Sequence, residues 1–326
     1  MRFFYYLLLF MVAVGCGNSQ KSSREVAATK PAPVGPAFNA DSAYTFCQRQ
    51  CDFGPRTMNS DAHEKCGAWM VKKFEEFGMT VTEQRASLKG FDGTALLSNN
   101  IIASYHPERE DRIMICAHWD SRPWADNDPD EANHTKPVMA ANDGASGVAV
   151  MLEVARVLCA DTCSLPIGID FVCFDAEDWG TEDVSESWAL GAQYWSETFK
   201  QQPSAAKPRY GILLDMVGGF GARFYQERIS LHYAPQVVER VWKSASIAGY
   251  SSFFPQEKGG GITDDHGPVN EVAGIPCIDI IPYYPDCMES SFGPTWHTIN
   301  DDMQHIDRGT LKAVGQTLIQ VLYTEK

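Results

Sequence analysis

The chain of 326 residues lacks several features that would each have set its class. It contains no Cys-x-x-Cys pair, so a thiolate zinc site of the finger or ribbon kind is excluded. It is poor in positive charge: 27 Lys and Arg stand against 42 Asp and Glu, a formal net charge of −15. That balance argues against nucleic acid and against electrostatic docking on anionic lipid. The apolar run over residues 3–14 is too short to span a bilayer comfortably. No internal repeat is present, and only one linker-like stretch.

What is present begins with an export signal. Met1-Arg2 is positive, the apolar run follows, and small residues lead to Cys16. Residues 1–15 therefore read as a signal peptide. Ala13-Val14-Gly15-Cys16 resembles a bacterial lipobox, with Ala13 where Leu is usual, and the alternative is an ordinary secretory signal cut nearby. Either way the chain leaves the cytoplasm. The lipobox reading gives a lipoprotein facing periplasm or cell surface, touching the membrane only through its lipid anchor. Residues 16–38, polar and then rich in Ala and Pro, cannot bury a core and read as a flexible tether. Residues 39–326 remain as one catalytic domain. Nine cysteines follow Cys16; Cys47-x3-Cys51 and Cys159-x3-Cys163 are spaced so that disulfides could form in an oxidising compartment, while Cys116 and Cys173 sit inside apolar runs.

Apolar periodicity predicts helices over 43–51, 62–77, 147–159, 237–248 and 311–323. Strands are predicted over 80–86, 96–105, 112–117, 167–174, 211–216 and 277–281. Such alternation gives an α/β fold: a single domain with a mixed, mostly parallel central sheet flanked by helices on both faces. Ligands in such folds bind beyond the carboxyl ends of the strands.

At those ends stand the residues that carry chemistry. Acids and histidines recur where an apolar run gives way to a loop: Ala117-His118-Trp119-Asp120, Asn142-Asp143-Gly144-Ala145-Ser146-Gly147, Phe174-Asp175-Ala176-Glu177-Asp178, Leu214-Asp215-Met216 and Trp296-His297-Thr298. Carboxylates and imidazoles held rigidly by buried strands are what Zn²⁺ needs. Asp143 alone could be a helix N-cap, but the glycines beside it let backbone pack closely behind a metal-bound carboxylate. The adjacent acids Glu177 and Asp178 can enter one pocket only on unusual backbone; one would then be a ligand and the other a general acid/base. His118-x-Asp120 suits a carboxylate that orients an imidazole. Asp264-Asp265-His266 follows three glycines and is either a solvated turn or a loop delivering acids to the site.

Together, His118-x-Asp120, Asp143 in NDGASG, Glu177-Asp178, Asp215 in LLDMVGG and His297 resemble the zinc aminopeptidase superfamily. Within it the sequence is more similar to the glutaminyl-peptide cyclotransferases of the animal and Bacteroidetes type, over residues 40–326. Three segments favour that branch: Thr263-Asp264-Asp265-His266-Gly267-Pro268, Phe292-Gly293-Pro294-Thr295-Trp296-His297-Thr298, and Ser121-Arg122-Pro123-Trp124-Ala125-Asp126. The resemblance implies one zinc per chain, held by Asp143, Asp178 and His297. It implies Glu177 as proton shuttle, with Asp215 and Asp264 in a supporting network. Substrate would lie against Trp296 and Phe292, and against Trp188 or Trp179, of which Trp188 is favoured. The activity implied is cyclisation of an N-terminal glutamine of peptides or proteins to pyroglutamate with release of ammonia. The chain departs from the animal enzymes in carrying Asp178 where they have Glu, and it lacks a counterpart of their cysteine pair. The alternative is a secreted two-zinc aminopeptidase using His118, Asp143, Asp178, Asp215 and His297. A catalytically idle peptide-binding lipoprotein is the third reading, and the presence of Glu177 speaks against it.

Overall fold

The computed structural model describes Met1, residues 32–202 and residues 206–325; residues 2–15 of the expected signal peptide and Cys16 lie outside the described residues. In chain order the elements are α1 (Ala40–Cys51), α2 (Asp61–Glu76), β1 (Thr80–Lys89), β2 (Ala95–Tyr105), β3 (Arg112–His118), α3 (Ala145–Ala160) and β4 (Gly168–Phe174). Then come α4 (Leu190–Lys200), β5 (Gly211–Leu214), α5 (Arg228–Tyr233), α6 (Pro235–Ala248), α7 (His266–Glu271), β6 (Cys277–Ile280) and α8 (Arg308–Leu322).

The six strands form one sheet in the order β1-β2-β4-β3-β5-β6. The β3/β4, β3/β5 and β5/β6 pairs are parallel, and β1 and β2 run antiparallel at one side. The sheet is mixed and its centre is parallel, as strand–helix alternation requires. Every residue of β3 and β5 is buried, which explains why they read as unbroken apolar runs. Alternate residues face opposite layers. Ile113, Ile115 and Ala117 of β3 pack with α1, α2, α3, α6 and α8, while Met114 and Cys116 pack with Ala192 and Trp195 of α4 and Val269 of α7. Each fully buried large aliphatic side chain contributes about 1.5–3 kcal/mol, so the central strands anchor whatever their ends carry.

Helices α4, α5 and α7 escape the periodicity reading. The last two have six residues each, too short to show a repeat. Helix α4 starts only after a left-handed residue, Ala189 (φ 55°), and its stripe includes Gly191 and Ala192. Strand β5 stops at Leu214, two residues before the predicted end, because Met216 (φ 47°) is left-handed.

Residues 34–38, read from the sequence as the end of a flexible tether, are held against the domain. Phe38 is buried against α8, and the backbone N–H groups of Val34 and Phe38 donate to Gln320 and Gln316 at 2.8 and 2.9 Å. An aromatic anchor after the Ala/Pro string is enough to fix its last residues. The nine described cysteines are all free, including Cys47, Cys51, Cys159 and Cys163. Among the described residues, no helix is long and apolar enough to cross a membrane.

Candidate active site and metal centre

The parallel strands β3, β4 and β5 end on the same side of the sheet, and each delivers an ionisable residue there. His118 closes β3, Glu177 and Asp178 follow β4, and Asp215 follows β5. Two adjacent acids reach one pocket because Ala176 is left-handed (φ 53°). That turn is braced by Asp175, which accepts the Ala176 N–H at 3.0 Å, the Asn99 N–H at 2.6 Å and His63 Nε2 at 2.8 Å. Strained backbone held by surrounding contacts is common at functional sites.

Asp143 enters from the turn before α3. It is not the helix cap: that position is Gly144, and the Asp143 carboxylate faces His118 Nε2 at 3.0 Å instead. Gly144 has φ 102°, and a Cβ there would lie 2.8 Å from the Asp120 carbonyl and 3.0 Å from the His118 ring. A Cβ on Gly147 would lie 2.3 Å from the Leu214 carbonyl. The glycines thus permit the close approach that the motif suggested.

His297 sits in the loop after β6, itself left-handed (φ 52°), and its Nε2 lies 3.3 Å from Asp178 Oδ1 and 3.7 Å from Asp143 Oδ2. The donor atoms of Asp143, Asp178 and His297 lie within 4.8 Å of one another, and so do those of His118, Asp143 and Asp215. Both sets are buried. Two carboxylates and an imidazole are the oxygen and nitrogen donors that suit Zn²⁺, and the buried Asp178 Oδ2 has no hydrogen-bond partner. These residues fit a zinc ion. His297 Nδ1 faces Asp126 Oδ1 at 3.4 Å, the carboxylate–imidazole arrangement that fixes a metal-binding ring. Burial opposes charge on His297, but Asp178 and Asp126 outweigh it and push its pKa up to about 9. Asp178 is held below the usual carboxylate range: burial would raise it, and His297 and Arg122 prevail.

The sequence assigned the orienting role to Asp120 at His118. The structure keeps Asp120 facing the His118 ring and gives it a further task. Its two oxygens accept the backbone N–H groups of Glu177 and Asp178, each at 3.1 Å, while His118 Nδ1 is 3.5 Å away. Asp120 therefore aims the acidic pair.

Glu177, Asp215 and Asp264 line one cavity of about 240 Å³ together with Asp143, Asp178, Trp188, Phe292, Trp296 and His297. The nine residues to which the resemblance gave metal, proton-transfer and substrate roles all line it, with Trp188 rather than Trp179. Trp188 is one wall, stacked 6.1 Å from the His297 ring; Trp179 packs on Trp124 instead. Phe292 packs tilted against Trp296 at 4.8 Å, and Trp296 stacks on His297 at 3.8 Å. Burial pushes the Glu177 carboxyl well above its usual range, aided by the charge of Asp178 and opposed by His118. Burial likewise raises Asp215 and Asp264. Asp264 is buried rather than a solvated turn; its Oδ1 accepts from the Asp265 N–H at 2.5 Å, and no hydrogen bond joins it to Asp215 among the described residues.

The model of peptidase family M28 matches residues 100–322, more than half of the chain. The chain belongs to peptidase family M28. Among solved structures it is similar to a Bacteroides thetaiotaomicron glutaminyl cyclase bound to N-acetylhistamine, at 49% identity and TM-score 0.86, covering 90% of this chain and 100% of that one. It is equally similar to a leucine aminopeptidase precursor from Bacteroides thetaiotaomicron, at 49% identity and TM-score 0.85 with the same coverage. Among curated relatives, Aminopeptidase YwaD of Bacillus subtilis is 28% identical over 279 residues, 82% of this chain. The chain spans about half the length of that relative, 54%.

Around this M28 centre the structure adds residues that sequence reasoning left without a role. Arg122 donates through Nη1 to the Asp178 carbonyl at 3.1 Å and faces its carboxylate at 3.4 Å. Asp301 accepts the backbone N–H groups of Asn142 and Asp143 at 2.7 and 2.9 Å, and its pKa is pushed up to about 7 by burial and by Asp143. Arg56, fully buried, donates to the carbonyls of Trp119, Met139 and Ala140. Each acts on backbone of a distant loop, and no local pattern announces such a contact.

Proposed function

We propose that the protein is a glutaminyl-peptide cyclotransferase, converting the N-terminal glutamine of peptides and proteins to pyroglutamate with release of ammonia. The observation that carries this reading is the pair of buried carboxyl groups, Glu177 and Asp264, in one small aromatic-walled cavity beside the Asp143, Asp178 and His297 donors. A cavity of about 240 Å³ suits one folded glutamine side chain rather than a long peptide segment.

In the reaction, the α-amine nitrogen bonds to the carbon of the side-chain amide, and that carbon then loses its amide nitrogen as ammonia. No external water enters. One zinc per chain, held by Asp143, Asp178 and His297, would supply Lewis-acid polarisation of the amide carbonyl. Glu177 takes the proton from the attacking α-nitrogen and returns it to the leaving nitrogen. Its raised pKa suits a group that must hold and then release a proton. Asp264, in the same cavity, presents a carboxyl to the substrate nitrogen, with Asp215 behind it. Trp188, Phe292 and Trp296 hold the flexible side chain in the folded shape that ring closure needs.

One observation favours a second reading. His118, Asp143 and Asp215 form a further group able to hold a metal, as a two-zinc aminopeptidase requires. Ammonia release from a glutamine-initiated peptide, abolished by a chelator and restored by zinc, supports the cyclotransferase; hydrolysis of any N-terminal residue supports the peptidase. We further propose that the mature chain begins at a lipidated Cys16 and sits at a bacterial membrane surface, facing periplasm or exterior. The mass of the mature N-terminus checks this, and an unmodified terminus would refute it.

A further inference from the structure

Arg122, in the loop after β3, is 4% exposed, and its guanidinium forms one corner of a closed ring of charged side chains. Its Nε donates to Asp126 Oδ1 at 2.9 Å and its Nη2 to the other oxygen of that carboxylate. Asp126 Oδ1 faces His297 Nδ1 at 3.4 Å, and His297 Nε2 faces Asp178 Oδ1 at 3.3 Å. Arg122 Nη1 closes the ring on the same Asp178 oxygen at 3.4 Å. Asp178 Oδ2 is left buried and without a hydrogen-bond partner. Two metal donors from distant segments, one after β4 and one in the loop after β6, are thus tied to one guanidinium.

The same group reaches the aromatic wall. Nη1 also donates to the carbonyls of Asp178 and Gly180, each at 3.1 Å. The guanidinium carbon lies 4.9 Å from the Trp188 ring and 5.4 Å from that of Trp124, within cation–π range. Trp188 is pressed onto the backbone that Arg122 holds: a Cβ on Gly180 would lie 2.1 Å from the indole. Its Nε1 donates to the Thr181 carbonyl at 3.1 Å. Neutralising Asp178 does not by itself require an arginine. A lysine is a compact point charge, whereas a planar fork can grip Asp126 and Asp178 at once while presenting a face to an indole.

We infer that Arg122 is a positioning residue that aligns His297 and Asp178 on one metal ion and sets the Trp188 wall beside them, taking Asp143, Asp178 and His297 as the zinc donors and Trp188 as a substrate wall, as proposed for the cyclotransferase. Metal affinity and substrate fit then depend on one side chain that touches neither the metal nor the reacting atoms.

Zinc affinity of the purified full chain, measured by competition with a chromophoric chelator, tests this. Arg122→Lys keeps the charge and loses the fork. Affinity should fall by about 10–100-fold, the usual cost of removing a residue that orients metal-bound side chains. Asp126→Asn should cost about as much, and the double variant little more than either single one, because both act through one ring. Arg112→Lys is the control. That buried arginine opens β3, at the end away from His118, and bonds Asp170 at 2.6 Å; its variant should keep wild-type zinc affinity. At saturating zinc, Arg122→Lys should still raise KM for a glutamine-initiated peptide by about two- to five-fold, since Trp188 has lost its cation. Zinc bound as tightly by Arg122→Lys as by wild type, single losses that multiply in the double variant, or an unchanged KM at saturating zinc would overturn the proposal. Wild-type protein that binds no zinc would overturn it together with the metal reading. Wild-type protein that binds zinc and releases no ammonia would sink the cyclotransferase reading alone, and the zinc affinities would still decide the role of Arg122.

Discussion

The floor and the wall of the pocket are built by different means. On the floor, His118, Glu177, Asp178 and Asp215 stand at the ends of parallel strands whose register pairs His118 with Phe174 and Cys116 with Leu213. Their positions are over-determined by a buried sheet. On the wall, Asp264, Phe292, Trp296 and His297 hang on loops held by a few contacts, such as Asn127 Nδ2 on the Trp296 carbonyl at 3.3 Å and the Asn127 N–H on the His297 carbonyl at 3.1 Å. The two regions meet across less than the length of a side chain: His297 from the wall touches Asp178 from the floor. The strand ends fix Glu177 and Asp178, while the loops bring His297 to Asp178 and add the aromatic side chains, the usual division between scaffold and loops.

That comparison is sharpened by substitutions on each side. The largest effect falls on the floor. Glu177→Gln keeps shape and loses the ability to carry a proton, so turnover on a glutamine-initiated peptide should fall by about 10²–10⁴ while zinc is retained. Near-normal turnover would remove Glu177 from the reaction. Asp264→Asn, on the wall, still hydrogen-bonds but cannot titrate; a fall of about 10², the lower end of the acid/base range, is expected in steady-state kinetics with folding intact. A change of only a few-fold would return Asp264 to the role of a structural acid. The smallest effect is at the aromatic wall. Trp296→Ala removes one stacked face, worth about 0.5–1.5 kcal/mol, and should raise KM by about two- to ten-fold with a smaller loss in kcat. A loss in kcat alone would mean that Trp296 supports His297 rather than substrate.

The same division explains what the sequence revealed. The floor was legible because buried central strands read as apolar runs and an acid at the end of each run breaks the pattern. Asp143 was legible because the glycines beside it signal close approach, and the Gly144 and Gly147 contacts bear that out. The wall became legible only through resemblance: a histidine or tryptophan in an irregular loop carries no periodic signal, and neither does Asp264 after three glycines. Least legible were the braces. Asp120 faces His118 as its spacing suggested, but nothing in the sequence shows that it also holds two amides from another strand end. Asp301 holds the Asp143 turn from 158 residues away. Helix α4 was hidden because three of its four buried residues, Gly191, Ala192 and Ser196, are small, leaving Trp195 as the one large side chain on that face.

The central claim is that this M28 chain closes glutamine on itself instead of hydrolysing a peptide bond. Purified protein incubated with one peptide beginning with glutamine and another beginning with leucine tests it most directly by product mass. The glutamine peptide should become lighter by one ammonia, with free ammonia in solution, and the leucine peptide should be unchanged. A leucine peptide shortened by its first residue, with no pyroglutamate from the other, would contradict it.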